Sequence, residues 1–239
     1  MSRFFIQTSL INGNSINITG SDYNHIKNVL RKKSGDKITC FDSSGTEYDT
    51  GISAIEKDKL TLNIIKTSKK DVEPKIRITL AQALPKSSKM DDIVQKSTEL
   101  GVFEIIPVVT QRCITKADKN ERWNKIAKES AEQSGRVHVP AVKAAVSLDE
   151  FLSSCSGYDL MLLPWECESS RSLKTELMNN KNASSILILI GPEGGFSAEE
   201  AEKANLKGFK SVSLGKRILR TQTAGPATLA MILYEMEMK

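Results

Sequence analysis

The chain has little of what most catalytic sites are recognised by. Its two histidines, His25 and His138, stand far apart, and its four cysteines, Cys40, Cys113, Cys155 and Cys167, form no C-x-x-C pair. Neither a zinc site nor a disulfide framework is indicated, and no metal is expected. No apolar run approaches the roughly 18–20 residues of a membrane span, so no membrane partner is expected. The first residues, MSRFFIQTSLINGNS, lack the charged n-region and long apolar h-region of a secretory signal. The expected location is cytoplasmic.

With 39% hydrophobic and 26% charged residues, the chain reads as globular, and its 239 residues can bury a substantial core. The net charge is +5 and unevenly spread. Residues 1–70 hold eleven Lys/Arg against seven Asp/Glu, a balance of +4, whereas the remaining 169 hold 23 against 22, a balance of +1. Excess positive charge in one segment points to an acidic partner, nucleic acid first. A solvated basic surface is the plainer alternative.

Two segments differ in pattern. In residues 1–70, FFIQTS, DKITCFD, TEYDTGISAI and KLTLNIIKT are short β-prone runs separated by N-G, S-G-D and S-S-G-T turn signals. Asp22 is the expected N-cap of a helix YNHIKNVLRKK, with Ile26, Val29 and Leu30 buried along one face. This pattern predicts a small barrel. KKDVEPK (69–75) reads as a linker, and a second domain over 74–239 follows.

There, strands alternate with helices. IRITLAQAL, FEIIPVVT, YDLMLLPWE, SSILILIG and FKSVSLG read as strands, and SKMDDIVQKSTELG and NERWNKIAKESAEQS as helices. Such alternation predicts a parallel α/β sheet covered on both faces. Ligands of such sheets sit at the carboxyl ends of strands, which directs attention to LLPWE, LIGPEGG and SLGKRILR. The last helix, GPATLAMILYEMEM, is apolar almost all round, with Leu229, Met231, Ile232, Leu233 and Tyr234 on more than one stripe. It must be buried on several sides, in the core or against another subunit.

LILIGPEGGFSAEEAEKA (187–204) is a strand, a glycine turn and a helix, yet no phosphate fingerprint accompanies it. Pro192 removes a backbone N–H, Glu193 puts negative charge where phosphate would sit, and neither GK[ST] nor G-x-G-x-x-G is present. ATP, GTP and NAD lose ground. A carboxylate-bearing turn suits a cationic ligand without phosphate, and S-adenosylmethionine fits. Ser197 and Glu200 form a capping box, so a tight connection without a ligand is the bland alternative.

LGKRILRTQTAGPATLAM places Arg217 and Arg220 just before the apolar helix, where they await a carboxylate or phosphate, or pair with surface Glu. Lys89 and Lys96 share a helix face suited to snorkelling or phosphate contact. In ESAEQSGRVHVP a helix ends at Gly135, leaving Arg136 and His138 exposed; Arg136 there also complements the helix dipole.

Together these stretches resemble the RsmE-type methyltransferases of small-subunit ribosomal RNA, of the SPOUT superfamily. The matching pieces are Arg3 with Phe4, HIKNVLR (25–31), KSSKMDDIVQKSTELGV (86–102), AEQSGR (131–136), VP (139–140), IGPEGGFSAEE (190–200) and LGKRILRTQTA (214–224). They stand in family order over nearly the whole chain. The resemblance implies an N-terminal PUA-like RNA-binding β-barrel over 1–70. It also implies a C-terminal α/β domain over 74–239, with a SPOUT-type trefoil knot around a mainly parallel sheet. The implied reaction moves a methyl group from S-adenosylmethionine to N3 of a decoding-region uridine, nucleotide 1498, in 16S rRNA. The implied assembly is a homodimer acting on the small ribosomal subunit. Another RNA such as tRNA, or RNA binding without catalysis, are the alternatives. Family members often carry Glu where this chain has Gln222 in Arg220-Thr221-Gln222-Thr223-Ala224.

The site expectations follow. Cofactor is assigned to Leu163, Pro164, Trp165 and Glu166 in the first loop, and to Ile190, Gly191, Pro192, Gly194 and Gly195 in the second. In the third it is assigned to Leu214, Gly215, Ile218, Leu219, Arg220, Thr221, Thr223 and Ala224. RNA is assigned to Arg3, His25, Lys27, Arg31, Lys32, Lys86, Lys89, Arg112 and Arg136. Arg136 and Arg220 are the candidates to stabilise charge developing on uracil. Glu193 is the nearest motif carboxylate to serve as base, with cofactor or structural contact as its rival role.

Overall fold

The computed structural model describes residues 3–114 and 118–237. The chain forms two compact units: the residues up to Glu73 with Ala131–Val139, and Pro74–Ser130 with the residues from Pro140 onward.

The first unit holds β1 (Arg3–Phe5), β2 (Ile11–Asn12), β3 (Ser15–Thr19), α1 (Gly20–Asn24), β4 (Lys37–Phe41), β5 (Thr46–Ile55) and β6 (Lys59–Lys69). They form one sheet in the order β1-β4-β5-β6-β3-β2, antiparallel except for the β1–β4 pair. Register shifts at Asp49/Thr50 and Ile52/Ala54 bend the long β5–β6 pair. The curled sheet encloses Ile16, Ile18, Ile38, Cys40, Leu60 and Leu62, which alternate along their strands. It is a half-barrel with two edges, the PUA-like sheet expected. The β2–β3 hairpin, turning at Gly13-Asn14, was not among the expected strands.

The helix departs from expectation. It begins at Gly20, with Thr19 at its N-cap, so Asp22 lies in the first turn rather than capping it. From His25 to Val29 it widens to a π-helix, and Arg31, at φ 52°, ends it. A π-turn carries more residues per turn. Ile26 therefore stays buried while Val29, expected on the same face, rotates out to 68% exposure.

The second unit opens with β7 (Arg77–Ala83), α2 (Lys89–Glu99), β8 (Glu104–Val109), α3 (Asn120–Ser134, whose last four residues belong to the first unit), β9 (Ala141–Val142), β10 (Val146–Ser147) and α4 (Leu148–Ser154). It continues with β11 (Leu160–Pro164), α5 (Leu173–Asn179), β12 (Ser185–Ile190), α6 (Ala198–Leu206), β13 (Lys210–Val212) and α7 (Thr221–Met236). The sheet runs β10-β8-β7-β12-β11-β13, with β9 also on β8, and every pairing is parallel. Side chains of β12 alternate between two cores. Ile186, Ile188 and Ile190 meet Met90, Ile93, Leu173 and Leu229; Leu187 and Leu189 meet Phe151, Ala201 and Phe209. Both faces are thus covered, as the near-continuous apolar strand predicted. Helix α4, opened by the Ser147/Glu150 capping box, was not anticipated.

From edge strand β13 the chain returns to the middle of the sheet, where α7 packs on α2, β12 and β7. Helix α7 starts at Thr221, four residues before the expected Gly225, and its expected residue Met238 lies outside the described residues. Leu229, Ile232 and Leu233 are buried, but Met231 and Tyr234 are 42% and 69% exposed. The sheet covers one stripe only, so the helix is not buried all round by its own chain.

Gly101 closes α2 with φ +101°, its N–H reaching Thr98 O at 3.0 Å and the Val102 N–H reaching Ser97 O at 3.0 Å. A Cβ there would lie 2.6 Å from Pro74 Cγ. Gly101→Ala is expected to cost about 1–3 kcal/mol, measured as a lowered urea midpoint for the second unit.

Candidate active site

The loops that follow β11, β12 and β13 meet at the carboxyl end of the sheet. They enclose a cleft of about 530 Å3 lined by residues 164–166, 168–169, 190–192, 195–196, 213–219, 221 and 224. Thirteen of the seventeen residues assigned to cofactor line it. Leu163 is instead fully buried in the core, facing α6. Gly194 and Arg220 line a neighbouring cleft, and exposed Thr223 lines neither. Glu168, Ser169, Phe196, Ser213, Lys216 and Arg217 were missed. Phe196, Lys216 and Arg217 lie inside the family-matching pieces, whereas Glu168, Ser169 and Ser213 flank the motifs and carry no pattern of their own.

The turn Gly191-Pro192-Glu193-Gly194-Gly195 is held by three other loops. Thr221 Oγ1 donates to Gly191 O at 2.6 Å and accepts from Gln82 Nε2 at 2.9 Å. Arg112 donates to Gly194 O at 2.6 Å. The Glu193 carboxylate accepts from Lys89 Nζ at 2.7 Å and from the Lys86 N–H at 3.1 Å. Burial alone would raise the Glu193 carboxyl, but the Lys89 ammonium and the local N–H groups outweigh it and hold it below the usual range. Glu193 is therefore ionised and committed, and a weaker base than an ordinary glutamate. The Ser197/Glu200 capping box forms as expected, and Glu200 Oε1 also takes the Gln111 N–H at 2.7 Å.

A second cleft of about 390 Å3 adjoins the first, lined by Lys89, Glu166, residues 192–195 and residues 218–222. Glu166, Pro192, Gly195, Ile218, Leu219 and Thr221 belong to both. Arg217 faces the larger cleft and Arg220 the smaller, and neither is ion-paired with a described residue. The alternative of surface Glu partners for them finds no support there.

In the first unit, two arginines differ from expectation. Arg3 pairs with Glu47 at 2.9 Å, lies 3.8 Å over the Phe41 ring and donates to Arg136 O at 2.6 Å. Arg136, expected to be exposed, is only 6% exposed, because its guanidinium turns inward onto Glu73 at 2.6 and 3.0 Å. His138, expected exposed beside it, is half-buried, and its N–H and that of Val137 go to the same carboxylate. His25, Lys27 and Arg31 are exposed and Lys32 half-buried. His25 stands edge-on to Phe4, and Lys27 reaches the Tyr23 hydroxyl. Among the described residues no group of His, Cys, Asp and Glu is arranged to hold a metal ion.

The RNA methyltransferase domain family matches residues 72–233, and the RNA methyltransferase PUA domain family matches residues 18–65. Ribosomal RNA small subunit methyltransferase E of Bacillus subtilis (strain 168) is 35% identical, over 100% of this chain and 98% of its own length. The chain belongs to the ribosomal RNA small subunit methyltransferase E family. The family member of Rickettsia conorii is 32% identical over 97% of this chain and 94% of its own. A crystal structure of the Neisseria gonorrhoeae member, bound to S-adenosyl methionine, superposes with a TM-score of 0.87 at 33% identity, over 98% of this chain and 97% of that one. A putative methyltransferase from Legionella pneumophila, in complex with the bound cofactor SAM, gives 0.89 at 30% identity, over 97% and 96%. The three strand-end loops around the cleft all fall inside the segment matched by the methyltransferase domain of the family. No helix among the described residues is long and apolar enough to cross a membrane.

The Arg136–Glu73 pair makes a stability prediction. Burial would raise the Glu73 carboxyl, but Arg136 and two N–H groups hold it low. A depressed carboxylate stabilises above its unfolded value and loses that contribution as pH falls through the folded one. Arg136→Ala strands the carboxylate and should cost about 3 kcal/mol at pH 7. In urea titrations from pH 7 to pH 3 the wild type should weaken at the acid end more steeply than Glu73→Gln.

Proposed function

We propose that this chain transfers a methyl group from S-adenosylmethionine to N3 of a uridine in 16S ribosomal RNA. The observation that carries this reading is the strand-end cleft without a phosphate grip, in a chain matched end to end by the methyltransferase E family. The cofactor sites are the three loops listed above, with Leu163 supporting from below. The chemistry of the walls fits a sulfonium: an unpaired Glu166 carboxylate, apolar Ile190, Phe196 and Leu219, and backbone groups of residues 213–219. When bound, the cofactor supplies an electrophilic methyl group on cationic sulfur.

The chain's own residues orient the acceptor and balance its charge. As N3 loses its proton, negative charge spreads to the uracil carbonyl oxygens, and Arg220, exposed on the smaller cleft, is placed to receive it. Glu193 keeps the turn rather than the proton, and Arg136 acts within the first unit through Glu73. RNA contacts are assigned to His25, Lys27, Arg31 and Lys32 in the first unit and to Lys86, Lys89 and Arg112 in the second. Such phosphate contacts position RNA without naming the base, which favours the assembled small subunit over free RNA. A second copy of the chain on the exposed Met231 and Tyr234 of α7 would complete a homodimer. Action on ribosomal RNA places the work in the cytoplasm.

Ribosomes from a strain lacking the protein are the test. Incubated with the protein and methyl-labelled S-adenosylmethionine, their 16S rRNA should gain label at one decoding-region uridine, mapped by mass spectrometry. Label entering tRNA alone would move the substrate; cofactor binding without transfer would leave an RNA-binding protein. Arg220→Ala should lower kcat by about 10²–10³ with an unchanged melting temperature. Near-normal turnover would remove Arg220 from the mechanism.

A further inference from the structure

We propose that the smaller cleft seats the target base and that Glu166 takes the proton from its N3. This rests on the methyltransferase reading above.

Two carboxylates line the smaller cleft, Glu193 and Glu166. Glu193 is occupied by Lys89 and the Lys86 N–H. Glu166 makes no hydrogen bond or ion pair with a described residue, and it alone of the two also lines the larger cleft. Its position is built rather than incidental. The side chain lies over Gly195, which has φ +67°, and a Cβ at that residue would collide with the Glu166 carboxylate oxygen. The glycine turn thus leaves room for a carboxylate on the ridge between the two clefts.

The neighbours of Glu166 match the imide edge of uracil. That edge reads acceptor, donor, acceptor: O2, N3–H, O4. The wall offers Arg220 as a donor, the Glu166 carboxylate as an acceptor, and the Gln222 side-chain amide, whose NH2 group can donate to the second carbonyl oxygen. Cytosine presents a lone pair at N3 and would face Glu166 with two acceptors opposed. In the step itself the N3–H bond breaks and its proton goes to a Glu166 oxygen. The N3 electron pair forms the bond to the methyl carbon, the carbon–sulfur bond breaks, and its electrons neutralise the sulfur. Being exposed, Glu166 then returns the proton to water.

The test compares wild type, Glu166→Gln and Glu166→Asp on 30S subunits lacking the modification, at saturating cofactor, from pH 6 to pH 9. Glu166→Gln should lose at least about 100-fold in kcat at pH 7, at a cofactor concentration that saturates the variant, with an unchanged melting temperature. Its remaining rate should climb about tenfold per pH unit as hydroxide replaces the lost base, while the wild-type profile stays flatter. Glu166→Asp should recover part of the rate. A kcat within threefold of wild type overturns the proposal. So does a full return of the rate once cofactor is raised to saturate the variant, which would confine Glu166 to holding the sulfonium. A wild-type protein that methylates no RNA overturns the methyltransferase reading itself, and this assignment with it.

Discussion

The Thr221 hydroxyl, placed between Gln82 and the Gly191 carbonyl, is the contact on which the site depends. Gln82 sits on β7 in the centre of the sheet and is fully buried. A buried amide is costly unless bonded; its NH2 group reaches Thr221 Oγ1 and Ala83 O, while its Oε1 has no partner among the described residues. Each such bond contributes about 1 kcal/mol net, and stranding one of its groups costs about 1–3. The direction of the chain matters more than the sum. The relay ties the first residue of α7 to the turn after β12, so residues 213–220 are fixed at both ends, at β13 and at Thr221. Only then can an exposed apolar residue such as Ile218 stand as part of a wall between two clefts.

The charges of the turn follow the same economy of position. Glu193 does not leave the turn anionic, because Lys89 cancels it at 2.7 Å. Both partners are partly exposed, so the pair adds little stability by itself; its effect is to fix where the turn lies. Arg112 on Gly194 O does the same from the β8 side. Cations expected to contact RNA thus also hold the glycine turn. Phosphates that compete for Lys89 or Arg112 would therefore act on the shape of the cleft.

The parallel sheet, the strand-end loops and most of the cleft wall were legible because each had a local cause. ILILI (186–190) is apolar at every position, as only a strand covered on both faces can be, and Ser197 and Glu200 stand at capping-box spacing. The resemblance then supplied the half-barrel's identity. What was not legible depended on distance in the chain. Nothing in ESAEQSGR says that Arg136 will meet Glu73, 63 residues earlier, so it read as exposed. Arg3 read as an RNA contact for the same reason; Glu47 and Phe41 claim it only after the sheet forms. Val29 failed differently. Its spacing was right for an α-helix, and the π-turn that moved it has no signature in HIKNV.

Charge also decides how the two clefts divide the chemistry. Methyl transfer consumes a cation and an anion and yields two neutral products, so a site that grips both charges hard would stabilise the reactants and slow the step. Among the ionisable groups that line the clefts, Glu193 is spent on Lys89 and Glu168 on the Ser170 and Arg171 N–H groups, while Lys216 and Arg217 face the larger cleft without an ion-pair partner among the described residues. What faces the ridge unpaired is one carboxylate, Glu166, and one guanidinium on the acceptor side, Arg220. A single carboxylate shared by both clefts can face cationic sulfur before transfer and hold the N3 proton after it, without the chain having to move. In its proposed role Arg220 sees charge only while uracil is anionic, which is when its field lowers the barrier. With Glu166 as the proposed base and Arg220 as the proposed stabiliser of the anion, an alkyl transfer to a weakly acidic nitrogen asks nothing of a histidine, and neither cleft carries one.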